Sequence, residues 1–74
     1  MKYALVYTAL DTQYCEIFDQ QLFVFNSQDE ARKAMREDVE ANVKDWTIAN
    51  ISFTNADLLD NKKHVKLDWC IFAI

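Results

Sequence analysis

From Tyr3 to Leu10, apolar side chains fall on both faces that an extended chain presents. Tyr3, Leu5, Tyr7 and Ala9 alternate with Ala4, Val6 and Leu10. A period of two with both sets apolar predicts a strand over 2–10 that is covered on both sides. A turn at Asp11-Thr12-Gln13 leads into a second extended stretch, 14–25. There Tyr14-Cys15-Glu16-Ile17-Phe18 and Leu22-Phe23-Val24-Phe25 flank Asp19-Gln20-Gln21. The pattern fits one long strand with a bulge and equally two short strands around a turn.

At Ser27 the period changes. Ser27 with Glu30 writes the Ser-x-x-Glu capping box of a helix start. Ala31, Ala34, Met35, Val39 and Val43 then recur at helical spacing, with Trp46 extending the stripe, which predicts an amphipathic helix over 28–45. Asp29 and Glu30 lie at the positive end of its dipole and Lys44 near the negative end. Asp29–Lys33 and Glu40–Lys44 have the favourable i,i+4 orientation, about 0.2–0.5 kcal/mol each.

Extended patterning resumes at Thr47-Ile48-Ala49-Asn50-Ile51-Ser52-Phe53-Thr54, a third strand. Residues 55–62 read as a polar connection, with Ala56-Asp57-Leu58-Leu59 able to form a helical turn. A final strand over 64–74 sets Val65, Leu67, Trp69, Ile71 and Ala73 on one face. His64, Lys66 and Asp68 begin the other, which Cys70, Phe72 and Ile74 turn apolar. The expected fold is α+β in the order ββαββ: one amphipathic helix on an antiparallel sheet of about four strands, a single domain over 1–74. One helix covers one sheet face. The other is expected to carry several of Tyr3, Tyr7, Tyr14, Phe23, Phe25, Cys70, Phe72 and Ile74, and a bare apolar patch of that kind marks an interaction surface, so the chain is expected to work as a homodimer or higher oligomer or docked on another protein.

Size sharpens this expectation. A chain of 74 residues hides only about 60% of its unfolded surface, and a core of that size supplies roughly 3–5 kcal/mol unless a disulfide, metal or partner chain reinforces it. With 51% hydrophobic residues the chain is globular. It contains no glycine and no proline. Phosphate-cradling loops, dinucleotide-binding glycine turns and glycine-flanked serine elbows are therefore excluded. Turns must rest on Asp and Asn, with Asp11-Thr12-Gln13, Asp19-Gln20-Gln21, Asn55 and Asp60-Asn61 as candidates.

The net charge of −4 argues against direct binding of nucleic acid, whose phosphates call for Lys and Arg. A cationic protein partner is compatible with it. The opening Met1–Tyr7 is too short an apolar run for a leader and reads as strand. No stretch reaches the length of a membrane span, and a cytoplasmic location is expected.

Few residues invite chemistry. His64 is the only histidine and reads as a solvent-exposed residue at a strand end. Cys15 and Cys70, among large apolar neighbours, read as buried structural cysteines. A bridge between them or a Cys–His pair with His64 can be drawn, but neither has its own signature. No catalytic residue, cofactor or metal site is assigned, and the expectation is a protein that is not an enzyme. Glu37, Glu40 and Asp45, with Asp57 and Asp60 in the following loop, form a candidate acidic patch for a basic partner. Trp46, Trp69 or an exposed tyrosine among Tyr3, Tyr7 and Tyr14 would supply the anchoring contacts.

Two stretches carry a resemblance. Phe25-Asn26-Ser27-Gln28-Asp29-Glu30-Ala31-Arg32-Lys33-Ala34-Met35 resembles the F-x-S/T-x-E-E-A-x-x-A-M helix opening of small uncharacterised proteins from gut bacteria and their mobile elements. His64-Val65-Lys66-Leu67-Asp68-Trp69-Cys70-Ile71-Phe72-Ala73-Ile74 is similar to their H-V-x-W-x-I-F-x-I terminus, with one extra residue before the tryptophan. That group implies no activity. In size, acidity and lack of enzyme motifs the chain is also similar in type to small phage proteins that inhibit host defence, anti-CRISPR proteins among them. This likeness implies a stoichiometric inhibitor, in the host cytoplasm, that covers the basic nucleic-acid site of a nuclease. The alternatives are a homo-oligomer holding a small ligand between subunits and a small thiol-dependent enzyme.

Overall fold

The computed structural model describes residues 1–42, 47–60 and 62–74, with backbone alone at 47–49. The elements are β1 (Tyr3–Asp11), β2 (Glu16–Phe25), α1 (Gln28–Asn42), β3 (Thr47–Ile51), β4 (Asn55–Asp60) and β5 (Val65–Ala73). They form one helix and a five-stranded sheet in the order β2-β1-β5-β4-β3, with every neighbouring pair antiparallel. The order is thus ββαβββ, one strand more than the sequence pattern predicts.

The extra strand is β4. Its sequence, Asn55-Ala56-Asp57-Leu58-Leu59-Asp60, is too polar and too short to announce itself, yet Ala56 and Leu58 are fully buried. Pairing with the long β5 makes it a strand, where a polar connection is expected from sequence. Asp19-Gln20-Gln21 is not a turn either. It lies within β2, which is one strand whose pairing with β1 skips Phe18 in a bulge, so that Ala9 faces Asp19 while Leu10 faces Ile17. The expected turn at Asn55 lies just before it, where Ser52 N–H donates to Asn55 O at 2.8 Å.

The helix starts where its cap predicts. Ser27 Oγ accepts the Glu30 N–H at 3.2 Å, and Ala31 N–H closes the first turn on Ser27 O. Asn42 Nδ2 donates to Asp38 O near the last described turn. The expected continuation to residue 45, including Val43, Lys44, Asp45 and Trp46, lies outside the described residues. Asp29 is met by Arg32 at 3.9 Å, in place of the expected Lys33. The Arg32 guanidinium also stacks 3.4 Å from the Phe53 ring centroid, tying the β3–β4 turn to the helix.

Ala31, Met35 and Val39 lie on Leu5 and Ala9 of β1, Ala56 and Leu58 of β4, and Leu67, Trp69 and Ile71 of β5. Tyr3, Tyr7 and Phe25 pack against this same core. The expectation that Tyr3 and Tyr7 lie on the uncovered face is therefore corrected: the helix lies over the tyrosine side of β1. Trp69, an anchor candidate from sequence, is fully buried. Its ring centroid is 5.4 Å from that of Tyr7, and its indole N–H donates to Asp38 Oδ2 at 2.8 Å. Burial raises the Tyr7 hydroxyl pKa above its ordinary 10.0, with the charges of Asp19 and Asp38 adding to the effect.

Lacking glycine, the chain builds two matching turns at one end of the sheet. Asp11 Oδ1 accepts the N–H groups of Gln13 and Tyr14, and Asp60 Oδ1 accepts those of Lys62 and Lys63. Each turn closes on a left-handed residue, Cys15 and His64, both at φ 56°. Thr12 N–H donates to His64 O at 2.8 Å, joining the two turns.

Two stability predictions follow. A side chain with a Cβ in the left-handed region costs about 1–2 kcal/mol, so Cys15→Gly and His64→Gly should each raise the unfolding free energy by about 0.5–1 kcal/mol. Alanine at the same sites should not; equal effects of Gly and Ala in urea titration would refute the backbone explanation. Asp38→Ala leaves a buried indole N–H without an acceptor and should cost about 1–3 kcal/mol, against less than about 1 kcal/mol for Asp38→Asn, which keeps one. Equal losses in the two variants would count against the hydrogen bond.

Candidate interaction surface

Side chains on the sheet face away from the helix line up in rows set by strand register. Val24, Ala4 and Phe72 make the first row, and Leu22, Val6, Cys70 and Asn55 the second. Gln20, Thr8, Asp68, Asp57 and Asn50 make the third, and Ile17, Leu10, Lys66 and Leu59 the fourth. The first two rows form a nearly continuous apolar strip. Phe72 is 45% exposed, Val24 49% and Leu22 61%. Ala4 is wholly buried between its larger neighbours Val24 and Phe72.

The third row is polar. Gln20 Nε2 donates to Thr8 Oγ1 at 3.2 Å. Asp57 and Asp68 face one another across β4 and β5. The Asp68 carboxyl is pushed up from 3.8 to about 6, first by burial and then by the hydrogen bond and negative charge of Asp57. Lys66 and the Trp69 backbone act in the opposite sense. The bare face thus presents a greasy strip edged by a reluctant carboxylate pair.

The expected acidic patch is not gathered into one surface. Glu37 lies on the helix flank toward β2 and Glu40 on the flank toward β3, each lining a separate cleft. Asp57 is on the opposite face of the sheet. The Asp60 carboxylate is taken up in its turn, and Asp45 lies outside the described residues. Of the tyrosines, only Tyr14 is freely exposed, in the β1–β2 turn. Of the residues expected on the uncovered face, Cys70 and Phe72 are there, while Phe23 and Phe25 pair with Leu5 and Tyr3 on the helix side.

Both cysteines are free and exposed, which corrects the expectation that they are buried. Cys15 closes a turn and Cys70 lies opposite Val6 in mid-sheet, so they belong to different parts of the fold. Among the described residues, no hydrogen bond joins either to His64, and no group of His, Cys, Asp and Glu could hold a metal ion. No helix among them is long and apolar enough to cross a membrane.

The Asp57–Asp68 pair is not legible in the sequence, where the polar pattern of 55–62 reads as a connection; only the β4–β5 register brings the two together. The exposure of Leu22 and Val24 is likewise not legible, since both faces of β1 and much of β2 are apolar.

The raised carboxyl has a definite sign. The folded chain holds its Asp68 proton up to pH about 6 while the unfolded chain releases it near 3.8, so this pair makes stability fall as pH rises through 6. Asp68→Asn should therefore raise the melting temperature more at pH about 7.5 than at about 5, with a gain of no more than about 1 kcal/mol for a group this exposed. A gain that is the same at both pH values would remove the pair as its cause.

No family model matches the chain, and comparison with curated proteins and with solved structures returns no significant match.

Proposed function

We propose that this chain acts by binding another protein through the sheet face opposite the helix. The observation that supports this is the apolar strip of exposed Val24, Leu22 and Phe72 with half-buried Val6 between them, in a domain with very little core to spare. Burying such a strip is favourable by roughly 25 cal/mol per Å², and solvent-facing patches of this kind commonly mark partner sites. The Asp57–Asp68 row beside it selects for a partner that brings a lysine or arginine. Burial first, then the hydrogen bond and charge of Asp57, raise the Asp68 carboxyl, and an incoming cation favours its ionised form, so association should strengthen as pH rises through about 6.

In its most concrete form the partner is a defence nuclease of a bacterial host, and the chain, acting in that host's cytoplasm, covers the nuclease's basic nucleic-acid groove. The net charge of −4 suits that role. So does the type-likeness to phage inhibitors. In this reading the chain catalyses nothing and acts in a one-to-one complex.

Affinity capture from host extract, followed by mass spectrometry, tests the proposal. Wild-type protein should retain a basic, nucleic-acid-binding protein that excess DNA or RNA displaces. Phe72→Glu should weaken retention at least tenfold, a loss of about 1.4 kcal/mol. Asp57→Lys should abolish its pH dependence. Retention that is indifferent to both substitutions would refute the sheet face as the binding surface.

A further inference from the structure

We propose that the cleft between α1 and the β3–β4 turn binds a small amphipathic monocarboxylate, an apolar ring or short chain bearing one carboxylate. The site lies on the helix side of the sheet and does not rest on partner binding by the far face.

The cleft follows from the helical period. Arg32, Met35, Arg36, Val39 and Glu40 recur at i, i+3, i+4, i+7 and i+8, so they share one flank of α1. That flank meets the end of β3 and the start of β4, and a space of about 230 Å³ is left between them. Buried Met35, Val39 and Ala56 with exposed Ile51 give it apolar walls. An apolar cavity of about 150 Å³ takes benzene, so this one has room for a ring or short chain together with a carboxylate.

The wall opposite the helix is fixed before any ligand arrives. Ser52 N–H donates to Asn55 O, and Thr54 O accepts the Ile71 N–H at 2.7 Å. Phe53, between them, is held under the Arg32 guanidinium. A site ordered in advance spares a ligand the cost of ordering it.

Charge selects the occupant. The Arg32 side chain is only 25% exposed, yet its one ion contact among the described residues is Asp29 Oδ1 at 3.9 Å, and Asp29 is itself 95% exposed. That distance is beyond hydrogen-bond reach. Stacking on Phe53 occupies the flat face of the guanidinium and leaves its N–H edges in want of an acceptor. Arg36 stands one turn further along the flank and has no ion pair among the described residues. Two planar guanidinium forks suit a carboxylate, whose two oxygens each accept hydrogen bonds. Glu40, a turn beyond Arg36, adds one negative charge. The lining therefore carries two positive charges and one negative. A single net positive charge favours a monoanion over a phosphate dianion, and the apolar walls favour one with an apolar body.

Titration of the isotope-labelled whole chain with phenylacetate and with hexanoate, followed by amide NMR shifts, tests the proposal. Saturable shifts should appear at Met35, Val39, Ser52 and Ala56. Phenylacetamide, which keeps the ring and lacks the charge, should bind at least tenfold more weakly, and so should acetate, which lacks the apolar body. Arg36→Gln should weaken phenylacetate binding at least tenfold and Ile51→Glu should abolish it. Both residues are exposed, so unchanged circular dichroism is expected in each variant. Glu40→Gln should tighten binding, and Phe72→Glu should leave it unchanged while disrupting the far face. The proposal is overturned by an absence of shifts at millimolar acid, by shifts centred on Val24 and Phe72, or by equal binding of phenylacetate and phenylacetamide. Indifference to Arg36→Gln and Ile51→Glu would also overturn it. A peptide ending in phenylalanine that binds at least tenfold more tightly than phenylacetate would reassign the cleft to a protein terminus and overturn the small acid as its ligand.

Discussion

One contact holds the two layers in their relative position: the Trp69 indole, buried on β5 beneath the helix with its N–H on Asp38 Oδ2. An indole contributes a large apolar surface, but buried without an acceptor its N–H would cancel much of that gain. Asp38 supplies the acceptor from the flank of α1, so the residue that fills the core also sets where the helix lies. Tyr7 leans on the same ring. With the helix placed over Trp69, Met35 and Val39 reach β4, and the β2 flank is left open.

The asymmetry of the molecule follows. The single helix packs on β1, β4 and β5 and reaches β2 at Phe25, leaving a cleft beside Gln21 and Phe23. Among the described residues, no second layer covers the far face. Apolar residues that a larger domain would bury therefore remain on view along β2, on Phe72 and around Ala4. For a domain so small, unsatisfied apolar surface and limited intrinsic stability are two aspects of one shortage of covering material. The proposed partner face is one way of relieving it.

The absence of glycine leaves its own mark. Asp11 and Asp60 organise two turns in the same way, and Cys15 and His64 take the left-handed positions that glycine would fill without strain. From sequence, His64 reads as an exposed residue at a strand end and Cys15 as a buried structural cysteine. Their backbone positions give them a structural role that the residue types alone did not suggest.

The sequence by itself determined whatever depends on near neighbours in the chain. Ser27 with Glu30 announced the helix, because a cap and a 3.6-residue period are written within a few residues. The alternation at Val65, Leu67, Trp69 and Ile71 announced β5 and its core face for the same reason. Tertiary structure decided the rest. β4 became a strand only by lying against β5, since Leu58-Leu59 breaks alternation and its polar neighbours suit a loop. Two apolar faces on β1 left open which one the helix would cover, and the core around Trp69 settled it against the expected exposure of Tyr3 and Tyr7. The far-face rows and the Asp57–Asp68 pair come from cross-strand register, which joins residues distant in sequence through backbone hydrogen bonds that all residue types share. Pairing of that kind leaves little trace in the side chains.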